Sequence, residues 1–494
     1  MENNVSLNNH QISIIWDEKL CYPDFPYAPA DNFPELTIDQ LNKENDLYPK
    51  IRELFFNLGL DKENFGTKNW NPLKNFVKPG QTVLIKPNWV RDYNPKDKNI
   101  DSLITHASVV RPVLDYCILA LMGRGKITIA DAPVQDCDFE NICKINGITE
   151  LIKIFRGKNP EIEFEVIDLR KTILKRTNTQ AQFTGKEYQT SPEGDPAGYS
   201  LIDLGQKSVL TDIDKYYKKY RITCYDHRLL EKHHSPGKHE YYIANSILNA
   251  DAIINIPKLK THLKAGLTGA LKNFIGANGH KEYLPHHTNG CPQNGGDQYI
   301  HRSFLKQIYN RIYDHYWSAL ATQNKIVSQF EFTILRYLYA AACRFAKDNL
   351  MEGNWHGNKT IPRTTLDINN IIYFYDNREK TMAASPVRNV LTIIDGIIAG
   401  EGTGPLQPKA KNAGLLIAGF NPVLIDCAAG KLMGYNVSKI KTLSLGCLHE
   451  KLNFISSNTD IRKQEIIFNN TIIKLEDLPN FNFIKPKYWQ DISI

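Results

Sequence analysis

The sequence has no C-x-x-C pair: its nine cysteines stand apart at positions 21, 117, 137, 143, 224, 291, 343, 427 and 447. That dispersal excludes a zinc ribbon and makes an iron–sulfur cluster built on one local cysteine run unexpected. It fits thiols kept reduced in a cytoplasm, the expected location. No apolar run reaches the length of a membrane-spanning helix; the nearest approach, Phe332 to Ala346, is broken by Arg336 and Arg344. The amino-terminal residues lack the basic and apolar regions of a secretory signal. Charge of one sign is scarce as well. Sixty Lys+Arg against 53 Asp+Glu leave +7 over 494 residues, too diffuse for a nucleic-acid footprint. Aromatic residues do not interleave with the basic run as stacking platforms would. There is no internal repeat and no low-complexity tract.

One local absence matters more. Between Ala252 and Lys281 there are five lysines and no acid. A packed core has no use for such a segment, and a solvated helix would mix in carboxylates, so it is expected to form a positive site. Lysines bind anionic oxygens as point charges. The glycines at 266, 269, 276 and 279 are expected to let backbone N–H groups approach a ligand, as in an anion-binding loop that opens a helix. The order G-x-x-x-x-G-K-S/T is absent, so the loop is not a Walker A motif.

The pattern around this segment is α/β. Gln81 to Val90 and Lys126 to Pro133 read as buried strands flanking a helix over Thr105 to Gly125, a parallel crossover unit. Glu161 to Leu169, Ala250 to His262, Val390 to Gly400 and Ala413 to Gly434 continue the strand or strand–helix alternation. Phe304, Ile308, Ile312, Tyr316 and Leu320 recur every fourth residue, which predicts a packed helical pair. The expected organisation is an amino-terminal extension (1–75), a first α/β lobe (76–300) carrying a polar insertion (171–238), a helical insertion (301–352), and a second α/β lobe with a tail (353–494). The sheets should be mostly parallel with crossover helices.

Polar residues recur where strands end, which is where open α/β sheets place ligands. Lys86 and Asn88 follow one strand, Asp131 the next, and Lys258, Lys260 and His262 a third. Asp395 and Glu401 follow a fourth. Lys86, Asn88, Thr105, His106, Lys258, Lys260, Lys272, Asn273 and Lys281 are the candidate ligand-binding residues. His262, His280, Glu401 and Asp131 are the candidate acid–base groups, since imidazole and carboxylate side chains exchange protons near neutral pH. A divalent transition metal would draw on His234, His239, His286, His287 or Asp395, although no spacing fixes a metal geometry.

Taken together, "LIKPNWV", "THASVV", "ADAPVQD", "INIPKLKTH", "ALKNFIGANGHK", "GNWHGNKTIPRTTLDIN", "DGIIAGEGTGP" and "LIDCAAGKLMG" resemble the family of unknown function numbered 362, over Gln81 to Gly434. "YQTSPEGDPAGYSLIDLG" and "LPHHTNGCPQNGGDQY" look like its long-form members. The resemblance implies an α/β core and no settled reaction. Some members carry ferredoxin-like cysteine runs; this chain does not. At the level of fold the family is also distantly similar to the lactate racemase type, two α/β domains around a nickel-pincer cofactor held by Lys and His.

The expected function is an enzyme acting on a small anionic molecule, a carboxylate or sugar phosphate, held by lysines and worked on by His or Glu. A metal- or cofactor-dependent redox or isomerase enzyme is the first alternative. The second is a non-catalytic assembly protein that docks a partner, or a second copy, through residues 301–352.

Overall fold

The computed structural model describes residues 6–175, 187–190, 194–322, 324–456 and 459–492. Residues 176–186 and 191–193, part of the polar stretch read as an insertion and of the long-form motif, lie outside the described residues.

Eleven strands form one sheet: β1 (Ile12–Trp16), β2 (Thr82–Pro87), β3 (Gly125–Asp131), β4 (Ile162–Asp168), β5 (Ala252–Ile256), β6 (Lys258–His262), β7 (Gly266–Thr268), β8 (Asn389–Thr403), β9 (Gln407–Gly419), β10 (Glu465–Phe468) and β11 (Thr471–Lys474). The order is β11-β10-β1-β9-β8-β5-β2-β3-β4. From β8 to β4 the pairing is parallel; β9 and β1 join antiparallel. The segment expected to be a single strand over Ala250 to His262 breaks at Pro257, whose missing N–H cannot serve a ladder. Beyond the break β6 runs beside β8, with a register shift between Lys258 and Lys260, and carries β7 on its other edge.

The buried strands bury alternate residues on opposite faces, as the two-residue period requires. Val83, Ile85, Ile254 and Leu416 pack under α1 (Leu47–Asn57) and α2 (Ala107–Leu121). Leu84, Ile253, Leu415 and Ile417 pack on the other face. That face is covered by α3 (Ala270–Asn273), α6 (Thr360–Phe374) and α7 (Pro422–Leu432). The predicted helical pair is α4 (Phe304–Ala321) and α5 (Lys325–Phe345), which close a small cluster around Tyr316, Trp317 and Leu335. No helix among the described residues is long and apolar enough to cross a membrane.

The α/β class and the crossover helices stand. The two halves, however, share one sheet, because β5 of the first pairs directly with β8 of the second. The amino-terminal segment is no appendage either: β1 fills the slot between β9 and β10. Its "ISIIW" is short and β-branched, a strand signal that the surrounding polar residues obscure.

Helix α7 reaches back to the glycine-rich loop. Asp426 accepts hydrogen bonds from Ala270 N (2.6 Å) and Leu271 N (3.0 Å), the first free donors of α3. A Cβ on Gly269 would lie 2.1 Å from Asp426 Oδ1. Gly269→Ala is therefore expected to cost ~2 kcal/mol or more. Asp426→Ala, which orphans two buried donors, should cost ~1–3 kcal/mol. Equilibrium denaturation checks both; unmoved midpoints would show that the carboxylate does not anchor the loop.

Candidate functional site

One buried ion pair stands at the carboxyl ends of β2 and β3, and a second lies just beyond the end of β5. Lys86 at the end of β2 meets Asp131 at the end of β3 at 2.6 Å. Asp131 also accepts from Trp89 N and Ala132 N. Lys258 opens β6 and meets Asp395 of β8 at 2.6 Å; Tyr22 accepts from Lys258 and donates to Asp395, both at 2.6 Å. A buried charge is tolerable only when paired and hydrogen-bonded, and these two carboxylates are each committed to one lysine.

Beside the first pair lies a cavity of about 440 Å³, ordinary for a metabolite site. Asn88, Asp131, Lys260, His262, Lys264, Lys272, Asn273, Lys281 and His286 line its polar side. Val90, Val134, Ile222, Leu263, Ile275 and Leu406 supply an apolar wall. Gly276 is required here, since a Cβ would lie 2.2 Å from Asp131 Oδ1 and 2.7 Å from Lys86 Nζ.

The four cavity lysines lack close carboxylates. Lys260 Nζ donates to Leu103 O. Lys264 Nζ donates to Thr223 Oγ1 at 2.8 Å and stands 4.0 Å from Glu352. Lys281 has only long contacts, 3.4 Å, to Ile275 O and Asn278 O. Lys272 Nζ has no partner among the described residues. Burial, then the repulsion of Lys281, Lys264 and Lys86, brings Lys272 down to about 7. Burial brings Lys281 to about 7, with the Lys86 and Arg170 charges adding to it against Asp131. Lys260 is pushed well below the ordinary lysine value by burial and by Lys258. Such a cluster gains whenever an anion enters.

The two cavity histidines are fixed in opposite tautomers. His262 Nδ1 accepts from Lys264 N (3.1 Å) and Ala265 N (3.2 Å), so the neutral ring carries its proton on Nε2. His286 Nδ1 lies 2.8 Å from Leu284 O, which can only accept; its proton is on Nδ1 and Nε2 is left as a lone pair. Burial and the neighbouring lysines hold both rings neutral, well below the ordinary imidazole value. One ring offers a donor and the other an acceptor.

An amide relay is polarised in the same way. Asn255 Nδ2 donates to Ala270 O, so its Oδ1 accepts from Asn273 Nδ2 at 2.8 Å. Asn273 Oδ1 then accepts from Asn88 Nδ2 at 3.0 Å. Asn88 Oδ1 is left buried without a partner, an acceptor in the cavity wall.

Of the sequence candidates, Asn88, Asp131, Lys260, His262, Lys272, Asn273, Lys281 and His286 line this cavity, and Lys86 is buried behind it, paired with Asp131. The others serve elsewhere. Glu401 does not line the cavity: its Oε2 accepts from Ile484 N at 3.0 Å and lies 3.7 Å from Lys411. His280 packs on Tyr242 and Tyr283, 3.7 Å from Glu282. Thr105 Oγ1 donates to Ile256 O, and His106 caps α2 and stacks on Tyr22. Lys258 and Asp395 form the second ion pair, outside the cavity lining. His234 and His239 face each other across a tight hairpin, with His234 Nε2 donating to Tyr283 O. His287 pairs in a short ladder with Arg221. Among the described residues no three His, Cys, Asp or Glu side chains form a metal-holding group, so the donors present do not build a metal cage.

The glycine loop works differently from its expected role. Asp426 occupies the N–H groups that open α3, and Gly279 N donates to Tyr242 O. Side chains line the cavity while the loop's backbone is spent on the fold. Lys264 and Asp426 were not singled out from the sequence; Lys264 was visible as the third lysine of "PKLKTHLK", whereas Asp426 lies on an apolar helix with no local signal.

The titration of these lysines has a stability consequence. With Lys272 and Lys281 at about 7 when folded and near 10.5 when unfolded, the unfolded chain binds more protons between these values. Their penalty is full below about 7, and stability should rise with pH across the window. Denaturation midpoints from about pH 6.5 to about 8.5 should show this contribution, saturating phosphate should flatten it, and Lys272→Met with Lys281→Met should remove it.

No curated protein matches the chain. Solved structures that match include a crystal structure of a Thermotoga maritima protein from a structural genomics consortium, 11% identical, covering 74% of this chain and 53% of that one at a TM-score of 0.29. This chain thus spans about half the length of that protein. The family described as "Domain of unknown function (DUF362)" matches residues 83–182 and 210–431, and the chain belongs to that family.

Proposed function

We propose that the protein is an enzyme that binds a small anionic metabolite, a carboxylate or a phosphate ester, and moves a proton on it. The observation that carries this reading is the pair of oppositely fixed histidines in a cavity with four lysines, none of them within 3.5 Å of a carboxylate among the described residues. Lys260, Lys264 and Lys281 would hold the anion, and the apolar wall its carbon skeleton. His286 Nε2 is the base. His262 Nε2–H, a neutral donor, would stabilise charge developing on oxygen. The anion's own charge offsets the lysines that depress His286, so the base strengthens when the ligand arrives. Acid–base work thus shifts from Glu401 and His280 to His286, while His262 keeps a place in it.

Proton transfer is measurable before the reaction is known. Anions that raise the melting temperature are incubated with the protein in D₂O, and loss of a C–H signal is followed by NMR. Wild-type protein is expected to exchange one position of a bound anion. His286→Gln should slow that exchange by about 10²–10⁴-fold while still binding. Exchange that survives the substitution would remove His286 as the base, and a panel in which no anion binds would refute the reading.

Binding should also take up protons. Because Lys272 and Lys281 titrate at about 7, an anion that favours their charged forms should bind more weakly as pH rises above 7. The loss is about tenfold per pH unit for each proton taken up. Calorimetry of phosphate binding in buffers of different ionisation enthalpy reads the proton count directly.

A further inference from the structure

The four cavity lysines are not equivalent, and the difference points to chemistry beyond charge neutralisation. Lys260 is fully buried and donates to Leu103 O. Lys264 is tied to Thr223, and Lys281 leans on two carbonyls. Lys272 alone of the four has an Nζ with no partner among the described residues, and it keeps some solvent contact where it lines the cavity. It sits on α3, a short helix pinned by Asp426 and backed by the amide relay through Asn273. The mount is rigid, and the amine at its end is unrestrained.

We propose that Lys272 is a nucleophile that forms an imine with the ligand, so that the substrate class is an anionic carbonyl compound such as a 2-oxo acid or a phosphorylated aldehyde or ketone. This rests on the reading of the cavity as an anion-binding acid–base site. Crowded cations and an apolar wall are what keep a lysine amine unprotonated and nucleophilic near neutral pH, and the approach of Lys272 to about 7 agrees with this. In the step, the Nζ lone pair forms the C–N bond as the carbonyl π pair moves to oxygen. One proton passes from nitrogen to that oxygen and a second comes from the Lys281 ammonium. Water leaves, and a protonated C=N bond remains with Lys281 neutral. The iminium is the electron sink that makes a neighbouring C–H acidic enough for a neutral imidazole such as His286 to take its proton. Addition of water reverses the sequence, so no oxidant or reductant is needed.

The test uses pyridoxal 5′-phosphate as a probe that carries both an anion and an aldehyde. The full-length protein is mixed with a substoichiometric amount, reduced with borohydride and mapped by peptide mass spectrometry; phosphate binding is measured in parallel by calorimetry. The expected result is one dominant reduced adduct, on Lys272, displaced by inorganic phosphate. Its formation should rise with pH through about 7, whereas labelling of surface lysines, which titrate at about 10.4, should go on rising well above that. Lys272→Arg should lose the adduct and keep phosphate binding, which shows that the variant is folded. Labelling spread over surface lysines, an adduct on Lys260 or Lys281, or an adduct that phosphate does not displace would each overturn the assignment. If phosphate binds and no cavity lysine is trapped, the imine falls while the anion site stands. If phosphate does not bind at all, both fall.

Discussion

The site is organised by a shortage of buried negative charge. The lysines brought to the strand ends outnumber the carboxylates that can reach them. Asp131 is taken by Lys86 and Asp395 by Lys258, and both pairs are buried. What remains is a set of lysines on β6, α3 and the loops that follow, held against a cavity where carbonyls, a hydroxyl and the distant Glu352 meet them. The native state accepts this because the penalty can be relieved by deprotonation, so the shifted lysines follow from the fold and not from any special residue type. An incoming anion relieves it in a second way. One imbalance thereby connects stability, ligand preference and the strength of the neighbouring bases.

Polarity is imposed on the cavity by groups that do not line it. Leu284 O and the amides of Lys264 and Ala265 decide which nitrogen of each histidine carries a proton. Ala270 O decides which end of Asn88 is left over, acting through Asn255 and Asn273. Backbone groups cannot titrate, so these assignments hold wherever the two rings are neutral. The result is a wall on which donors and acceptors have fixed places.

Much of this was legible in the residue order. Polar residues after apolar β-rich runs marked the ends of β2, β3 and β5, and the acid-free lysine segment marked the positive cavity. These signals are local: a strand and the residue that follows it are adjacent in the chain. What could not be read depended on distant partners. Glu401 looked like a facing acid because it follows the same strand as Asp395, yet the length and register of β8 carry it past the cavity to Ile484. The glycines looked like an anion loop because nothing nearby in sequence competes for their N–H groups; the competitor is Asp426, more than 150 positions away. His286 was grouped with His287 as a metal candidate; the Leu284 carbonyl that fixes its tautomer is near in sequence, but only the fold turns it to the ring. The division into two lobes failed for the same reason, since β5 and β8 pair across the whole helical insertion.

The place of β1 bears on how the chain reaches this state. Strand β1 precedes all the others in the sheet, yet its partners β9 and β10 lie about 400 and about 450 residues downstream. Tyr22, just beyond it, closes on Lys258 and Asp395. Long-range pairings of this kind bring the entropy of loop closure forward and slow folding. During synthesis the parallel strands β2, β3 and β4 can pair as they emerge, while the amino-terminal segment waits as an unpaired edge. A chain that ended before β9 would leave β1 without either partner strand, and with it the placement of Tyr22 on the Lys258–Asp395 pair.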